Sequence, residues 1–109
     1  MAYIKISSDF SETPGGRLIE EGDYSGELFR DTILIQKYEE AERTNSVVEI
    51  DFDDCYGVGT SFLEEAFGGL VRKYHKHSVL KRLSIIATED ETIPDNIKKF
   101  VEKAEANDK

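Results

Sequence analysis

The alternation of apolar and polar residues at the start of the chain predicts a strand. Residues 3–6 are rich in Tyr and Ile, and the polar cluster 7–9 follows them. Pro14-Gly15-Gly16 is typical of a turn, and residues 17–20 behind it predict a short second strand. We therefore expect the chain to begin with an antiparallel β-hairpin.

Three longer segments have helical periodicity. Ser25 is a good N-cap and an acidic residue follows in the first turn, so residues 25–42 predict a first long helix. The β-branched stretch 32–35 inside it is also compatible with a strand. Ser61 and Glu64 have the spacing of a capping box ahead of two apolar rows, which predicts a second helix. Residues 92–104 predict a third helix with a proline in its first turn.

Two apolar runs between these helices predict core strands, at residues 47–52 and 83–87. The resulting order, β-β-α-β-α-β-α, predicts an α/β domain with a mostly parallel sheet, right-handed crossover helices and an N-terminal β-hairpin. Gly68 and Gly69 lie in the middle of the second predicted helix. Because glycine weakens a helix, this pair predicts that a neighbouring group closely approaches the helix backbone.

Length and composition favour one small globular domain. The chain has 109 residues, 39% of them hydrophobic and 34% charged, which suits a single hydrophobic core under a solvated surface. We expect one domain over residues 1–109, with a frayed tail at 105–109.

The net charge of the chain disfavours two classes of binding partner. The chain has 14 basic and 23 acidic residues and a formal net charge of -9, so its field repels nucleic-acid phosphates and anionic lipid headgroups. We expect neither nucleic acid nor a membrane as partner. The apolar runs are too short to cross a bilayer, the first residues lack the apolar core of a signal peptide, and Cys55 alone forms no internal disulfide. These features predict a cytoplasmic location.

The loop that follows the strand at 47–52 is the candidate functional site, because ligands and partners of parallel sheets bind at the carboxyl ends of strands. Asp51, Asp53 and Asp54 stand there and resemble the carboxylates that hold Mg²⁺ in phosphoryl-transfer enzymes. A small Mg²⁺-dependent phosphatase or hydrolase is therefore the alternative function. The pattern lacks the Gly-Thr pair that completes that motif, so we favour a solvated acidic loop, with no metal and no cofactor.

A thiol nucleophile is a further candidate that the spacing disfavours. Cys55 precedes the second predicted helix, whereas His75 and His77 lie at its far end, in a basic run that complements the helix dipole. A helix of about 14 residues is about 20 Å long, so the thiol and the imidazoles are expected at opposite ends. We expect no catalytic residue in the chain.

The turn into the second helix is rich in glycine. Gly57, Val58, Gly59, Thr60 and Ser61 lead into the helix N-terminus, where unpaired N–H groups and the helix dipole favour an anion such as phosphate. The lysine and the spacing of a Walker loop are absent. The simpler interpretation is that the glycines form the turn and Ser61 caps the helix.

Three stretches of the chain carry a family resemblance: Val48-Glu49-Ile50-Asp51-Phe52; Gly57-Val58-Gly59-Thr60-Ser61-Phe62-Leu63-Glu64-Glu65-Ala66-Phe67-Gly68-Gly69-Leu70-Val71-Arg72; and, upstream, Pro14-Gly15-Gly16-Arg17 with Ser25-Gly26-Glu27-Leu28-Phe29-Arg30. They resemble the STAS domain, the fold of bacterial anti-sigma-factor antagonists, and specifically a small STAS-like family of unassigned function. In the antagonists a hydroxyl residue at the start of this helix is phosphorylated by a partner kinase. By position that residue is Thr60 or Ser61, but Val58 stands where the antagonist motif has an Asp.

The resemblance implies a non-enzymatic regulatory module that binds a protein partner through this turn and helix. An ATP-binding protein of the histidine-kinase-like class is one option for the partner, and a homodimer is another. A scaffold that packs through Gly68 and Gly69 is a third possibility for the function. The expected partner-binding residues are Asp53, Asp54, Tyr56, Gly57, Val58, Gly59, Glu64 and Glu65, with Thr60 and Ser61 as candidate regulatory hydroxyls.

Overall fold

A computed structural model of the chain describes residues 2–108. Its sheet has three strands in the order β1-β2-β3, and both neighbouring pairs are parallel. The strands are β1 (Ala2–Lys5), β2 (Val48–Asp51) and β3 (Leu83–Ile86). Ile50 of β2 lies opposite Ile4 of β1 and Ile85 of β3. The predicted α/β class with a parallel sheet and helices after the core strands is confirmed.

Within residues 2–108, four helices accompany the sheet. They are α1 (Ile6–Asp9), α2 (26–44), α3 (60–74) and α4 (Thr92–Asn107), and short 3₁₀ turns occupy Ile19–Glu21 and Val79–Arg82. The two crossover helices α2 and α3 each contain one π-helical turn, Arg30–Leu34 in α2 and Glu64–Gly68 in α3. The stretch 32–35, which also fitted a strand, is therefore helical. Both helices end at a residue in the left-handed conformation, Asn45 and His75.

The predicted N-terminal hairpin is wrong. Residues 17–20 form no strand, and β1 pairs with β2 instead. Local carboxylates take the N–H groups that a strand would need: the Glu21 carboxylate accepts hydrogen bonds from the backbone N–H groups of Arg17 and Leu18, at 2.8 and 2.9 Å. The N–H of Ile19 donates to Glu27, at 2.9 Å. Side chains that satisfy the backbone in this way compete with a sheet ladder.

The predicted ends of the helices also differ in two places. Gly59 is the N-cap of α3 and no side chain caps it, so the predicted capping box of Ser61 and Glu64 is wrong. The last helix reaches Asn107, three residues into the segment expected to fray. Lys109, the end of that segment, lies outside the described residues.

The core lies on one face of the sheet. Ala2 and Ile4 of β1 and Val48 and Ile50 of β2 are buried and pack with the apolar rows of the three long helices. The other face carries partly exposed side chains, and Tyr3 on it is 45% exposed. None of the helices in the part of the chain that the structure describes is long and apolar enough to cross a membrane.

Candidate functional site at the carboxyl edge of the sheet

The loop between β2 and α3 lies at the edge of the sheet where the parallel strands end. Two of its residues, Asp54 and Gly57, have positive φ angles of 71° and 62°, which lets the chain turn sharply out of β2. The N–H of Tyr56 donates to the Glu12 carbonyl at 2.6 Å, and the N–H of Gly59 donates to the Pro14 carbonyl at 3.4 Å. The loop is therefore held against the segment 11–15.

Asp53 fixes the other side of this loop. Its carboxylate accepts hydrogen bonds from the Thr88 N–H at 2.8 Å, the Thr88 hydroxyl at 2.7 Å and the Glu89 N–H at 3.3 Å. The bond from the Thr88 hydroxyl is the main reason why the pKa of Asp53 lies below its usual range. This carboxylate joins the loop after β2 to the loop after β3.

Asp51 and Asp54 also have partners within the protein. Asp51 accepts hydrogen bonds from the Tyr3 hydroxyl at 2.8 Å and the Asp53 N–H at 2.9 Å. The Lys5 ammonium lies 3.1 Å from the Asp54 carboxylate and 3.6 Å from that of Asp51. Within residues 2–108, no three His, Cys, Asp or Glu side chains are grouped so that they could hold a metal ion. All three aspartates have hydrogen-bond or ion-pair partners within the protein.

The cysteine and the histidines lie where the spacing predicted. Cys55 precedes α3, and burial raises the pKa of its thiol to about 11, which keeps the thiol protonated at neutral pH. His75 and His77 follow the other end of α3, and both imidazoles face the Asp108 carboxylate, at 3.3 and 3.0 Å. The structure therefore does not bring the thiol and an imidazole together.

Tyr56, Thr60 and Ser61 are exposed, as are Asp54 and Gly57 of the same site. The Tyr56 side chain is 67% exposed, the largest exposure among the big apolar side chains described, and both hydroxyl residues are exposed in the first turn of α3. The first intrahelical bond of α3 runs from the Leu63 N–H to the Gly59 carbonyl, at 3.2 Å. The backbone N–H groups of this turn therefore point away from the helix.

A small cavity lies beside the turn, between the loops after β2 and β3. Its volume is about 230 Å³, and its polar lining includes Asp53, Glu89 and Asp90. This volume is below the roughly 300 Å³ at which pockets for drug-sized ligands begin. The cavity beside the turn is therefore too small to enclose a ligand of that size.

Glu64 and Glu65 lie one turn further along α3 and belong to a separate ion-pair network. Glu64 pairs with Arg17 and with Arg72, and the Arg72 Nη1 is 2.5 Å from its carboxylate. Burial raises the pKa of Glu64, but the hydrogen bonds from Arg72 and Arg17 outweigh it, so the pKa is lowered. Glu65 pairs with Arg30, whose side chain is 4% exposed.

Sequence reasoning missed Arg30, the centre of this network. Its guanidinium also donates to the Glu65 carbonyl at 3.2 Å and from Nε to Asp31 at 2.8 Å. A Cβ atom at Gly69 would collide with the Arg30 side chain, which confirms the close approach that the glycine pair predicted. The glycines could have pointed to this contact, although not to the residue that makes it.

The matched family model is described as a STAS-like domain of unknown function (DUF4325), and it covers residues 25–92. The chain belongs to this family. The matched range of this STAS-like domain includes α2, β2, α3 and β3, and thus the whole turn from Asp53 to Ser61. No curated protein matches the chain. No solved structure matches it.

Proposed function

We propose that this STAS-like domain is a non-enzymatic regulatory module that binds a protein partner through the loop and helix start at residues 53–65. The observation that carries the proposal is an exposed but ordered turn. Backbone hydrogen bonds from Tyr56 and Gly59 and the Asp53 carboxylate hold it on both sides. Because the turn is ordered before binding, little conformational entropy is lost when a partner docks.

Tyr56 is the proposed anchor of this surface. Tyrosine is enriched among the residues that dominate binding energy, because it buries a large rigid ring and keeps a polar end. An exposed fraction of 67% leaves most of its ring available to a partner. Thr60 and Ser61 beside it offer hydroxyl groups and the N–H groups of the helix start.

The proposed partner is a protein, and the resemblance to antagonists suggests an ATP-binding protein of the histidine-kinase-like class. The net charge of -9 disfavours nucleic acids and anionic membranes. A Mg²⁺-dependent hydrolase has less support, because Asp51, Asp53 and Asp54 are engaged by protein donors. Phosphorylation at Thr60 or Ser61 would add charge to the docking surface itself.

Affinity purification of the tagged chain from its native cells tests the proposal, with the parent compared against Tyr56→Ala and Ile19→Ala. Ile19 is the matched control, since it is also a large apolar residue, 51% exposed, but lies in the 3₁₀ turn before α2 and outside residues 53–65. We expect the parent and Ile19→Ala to recover the same partner and Tyr56→Ala to recover about tenfold less of it, as expected for the loss of a binding anchor.

Quantitative mass spectrometry of the recovered proteins decides between the outcomes. Equal recovery by all three chains would remove Tyr56 from the docking surface. Light scattering of the purified chain tests whether a second copy of the chain occupies this surface. A dimer that dissociates in Tyr56→Ala would show that the partner is the chain itself and not another protein.

A further inference from the structure

A second concave surface lies away from the carboxyl edge, between α3, α4 and the loop that carries Arg17. We call it the α3–α4 groove. It holds a cavity of about 600 Å³, more than twice the volume of the cavity beside the turn. Cavities of roughly 300–1,000 Å³ are typical of sites for small organic ligands.

The lining of this groove has the opposite charge from the chain as a whole. Four basic side chains line it, from Arg17, Arg72, Lys99 and Lys103, against the carboxylates of Glu64 and Asp108. The complete chain has a net charge of -9. The groove is therefore a local positive site on an acidic protein, to which an anion is attracted.

Both carboxylates of the groove already have partners. Glu64 is shared by Arg17 and Arg72, and Asp108 faces His75 and His77. In the described residues, neither carboxylate forms an ion pair with Lys99 or Lys103.

Lys99 and Lys103 make no ion pair with any carboxylate in the described part of the chain. They lie four positions apart on α4, so their ammonium groups are neighbours on one face of the helix. Like charges at this spacing repel each other. An anion bound between them would relieve this repulsion.

Phe100 gives the groove an apolar surface beside these charges. The ring is half-buried, and the Lys99 ammonium lies 5.9 Å from its centroid. Ala104, one turn further along α4, is buried in the lining. An aromatic face next to unpaired cations can contact a planar apolar group while the cations hold an acidic group.

We propose that the α3–α4 groove binds a small organic anion in which an acidic group is attached to a planar apolar ring system. Lys99 and Lys103 bind the acidic group, Arg72 and Arg17 supply further N–H donors from the opposite wall, and Phe100 contacts the ring. The groove shares Glu64 with the proposed partner-binding surface, but the proposal does not rest on that function, because it is tested on the isolated chain.

Fluorescence titration of the purified chain with 8-anilinonaphthalene-1-sulfonate tests this proposal, since that probe combines a sulfonate with an aromatic ring system. N-phenyl-1-naphthylamine has similar rings without the sulfonate and reports apolar binding alone. The test variant is Lys99→Glu with Lys103→Glu. The matched control is Lys81→Glu with Lys98→Glu, which changes the net charge equally at exposed lysines outside the groove.

We expect saturable binding of one sulfonate probe per chain, and binding at least about tenfold weaker for the uncharged probe. The groove variant should weaken sulfonate binding by about tenfold or more, and the control variant by less than about twofold. Absence of saturable binding to the parent overturns the proposal. Equal weakening of sulfonate binding by both double variants also overturns the proposal, because the effect would then come from the overall charge of the chain and not from the groove.

Discussion

Two serines stand at the beginnings of the two crossover helices, and their hydroxyl groups have different surroundings. Ser25 is fully buried, and its Oγ accepts a hydrogen bond from the Leu28 N–H at 3.1 Å, as an N-cap does. Ser61 is exposed within the first turn of α3, whose N-cap is Gly59. Only the first hydroxyl has a capping role.

Replacing Ser25 by Ala should therefore lower the free energy of unfolding by about 1 kcal/mol, the usual cost of a lost cap. Ser61→Ala is the matched comparison and should change it by less than about 0.5 kcal/mol. Urea denaturation followed by circular dichroism measures both. A cost for Ser61→Ala as large as that for Ser25→Ala would restore the capping role that the sequence suggested for Ser61.

The same residues show why local sequence predicts one contact and not another. The cap at Ser25 spans three residues, so its residue type and spacing were enough to predict it. Glu64 seemed by spacing to belong to a capping box, but Arg17, 47 residues away, and Arg72, eight residues away, take its carboxylate. A preference read from neighbouring residues contains no information on such distant partners.

At the level of elements, Gly26 sets how closely α2 approaches α3. A Cβ atom there would lie 2.5 Å from the Phe62 carbonyl oxygen and 3.1 Å from the Ala66 nitrogen. Both are backbone atoms of α3, so no side-chain rotation can relieve the contact. The absence of a side chain at Gly26 is therefore a condition for this helix crossing.

Gly26→Ala should destabilise the fold by about 2 kcal/mol or more, because the two helices have to move apart. Gly15→Ala is the control, since nothing lies within 4 Å of a Cβ atom at that position, and its effect should stay within about 0.5 kcal/mol. Thermal and urea denaturation provide the measurement. Equal stability of the Gly26 variant and the parent would show that the helices are not packed this closely.

The sequence predicted well those helices and strands whose apolar pattern lies entirely within the element itself. β2, β3 and the three long helices have apolar patterns that determine the element type and most of its bounds. The hairpin failed because the strand signal at 17–20 is short, and Glu21 and Glu27 occupy its N–H groups. The sequence predicted where the exposed turn at 53–61 lies. Its hydrogen bonds to Glu12, Pro14 and Thr88 join residues that are far apart in the chain, so only the folded structure shows them.

At the level of the whole molecule, one ion-pair network joins the loop before α2 to both crossover helices. It runs from Arg17 through Glu64 and Arg72 to Glu65 and Arg30, and ends where Asp31 meets Lys73 and Tyr74. Burial raises the pKa of Asp31, but hydrogen bonds from Arg30, Lys73 and Tyr74 outweigh it and lower the pKa from 3.8 to about 2. The folded state therefore favours the ionised carboxylate.

This shift predicts how stability depends on pH. Because the pKa of Asp31 is lower in the folded state, its contribution of about 2 kcal/mol is present above pH 4 and is lost as the pH falls from about 4 towards 2. Asp31→Asn should lower the free energy of unfolding at neutral pH and reduce its change with pH between about 4 and 2. Asp23→Asn, in an exposed loop, should do neither. Urea denaturation at a series of pH values checks this, and an unchanged slope in Asp31→Asn would contradict it.

The central claim, a partner-binding surface at the start of α3, is tested most directly by the affinity of the recovered partner for charged variants. Thr60→Glu and Ser61→Glu each add one negative charge to the surface, and Gln36→Glu adds the same charge at an exposed position on α2. We predict that all three fold like the parent by circular dichroism. By calorimetry, the first two should bind about tenfold or more weakly, because an unmatched charge at an interface costs about 1.4 kcal/mol or more, and Gln36→Glu should bind normally. Unchanged affinity in both Thr60→Glu and Ser61→Glu would contradict the claim.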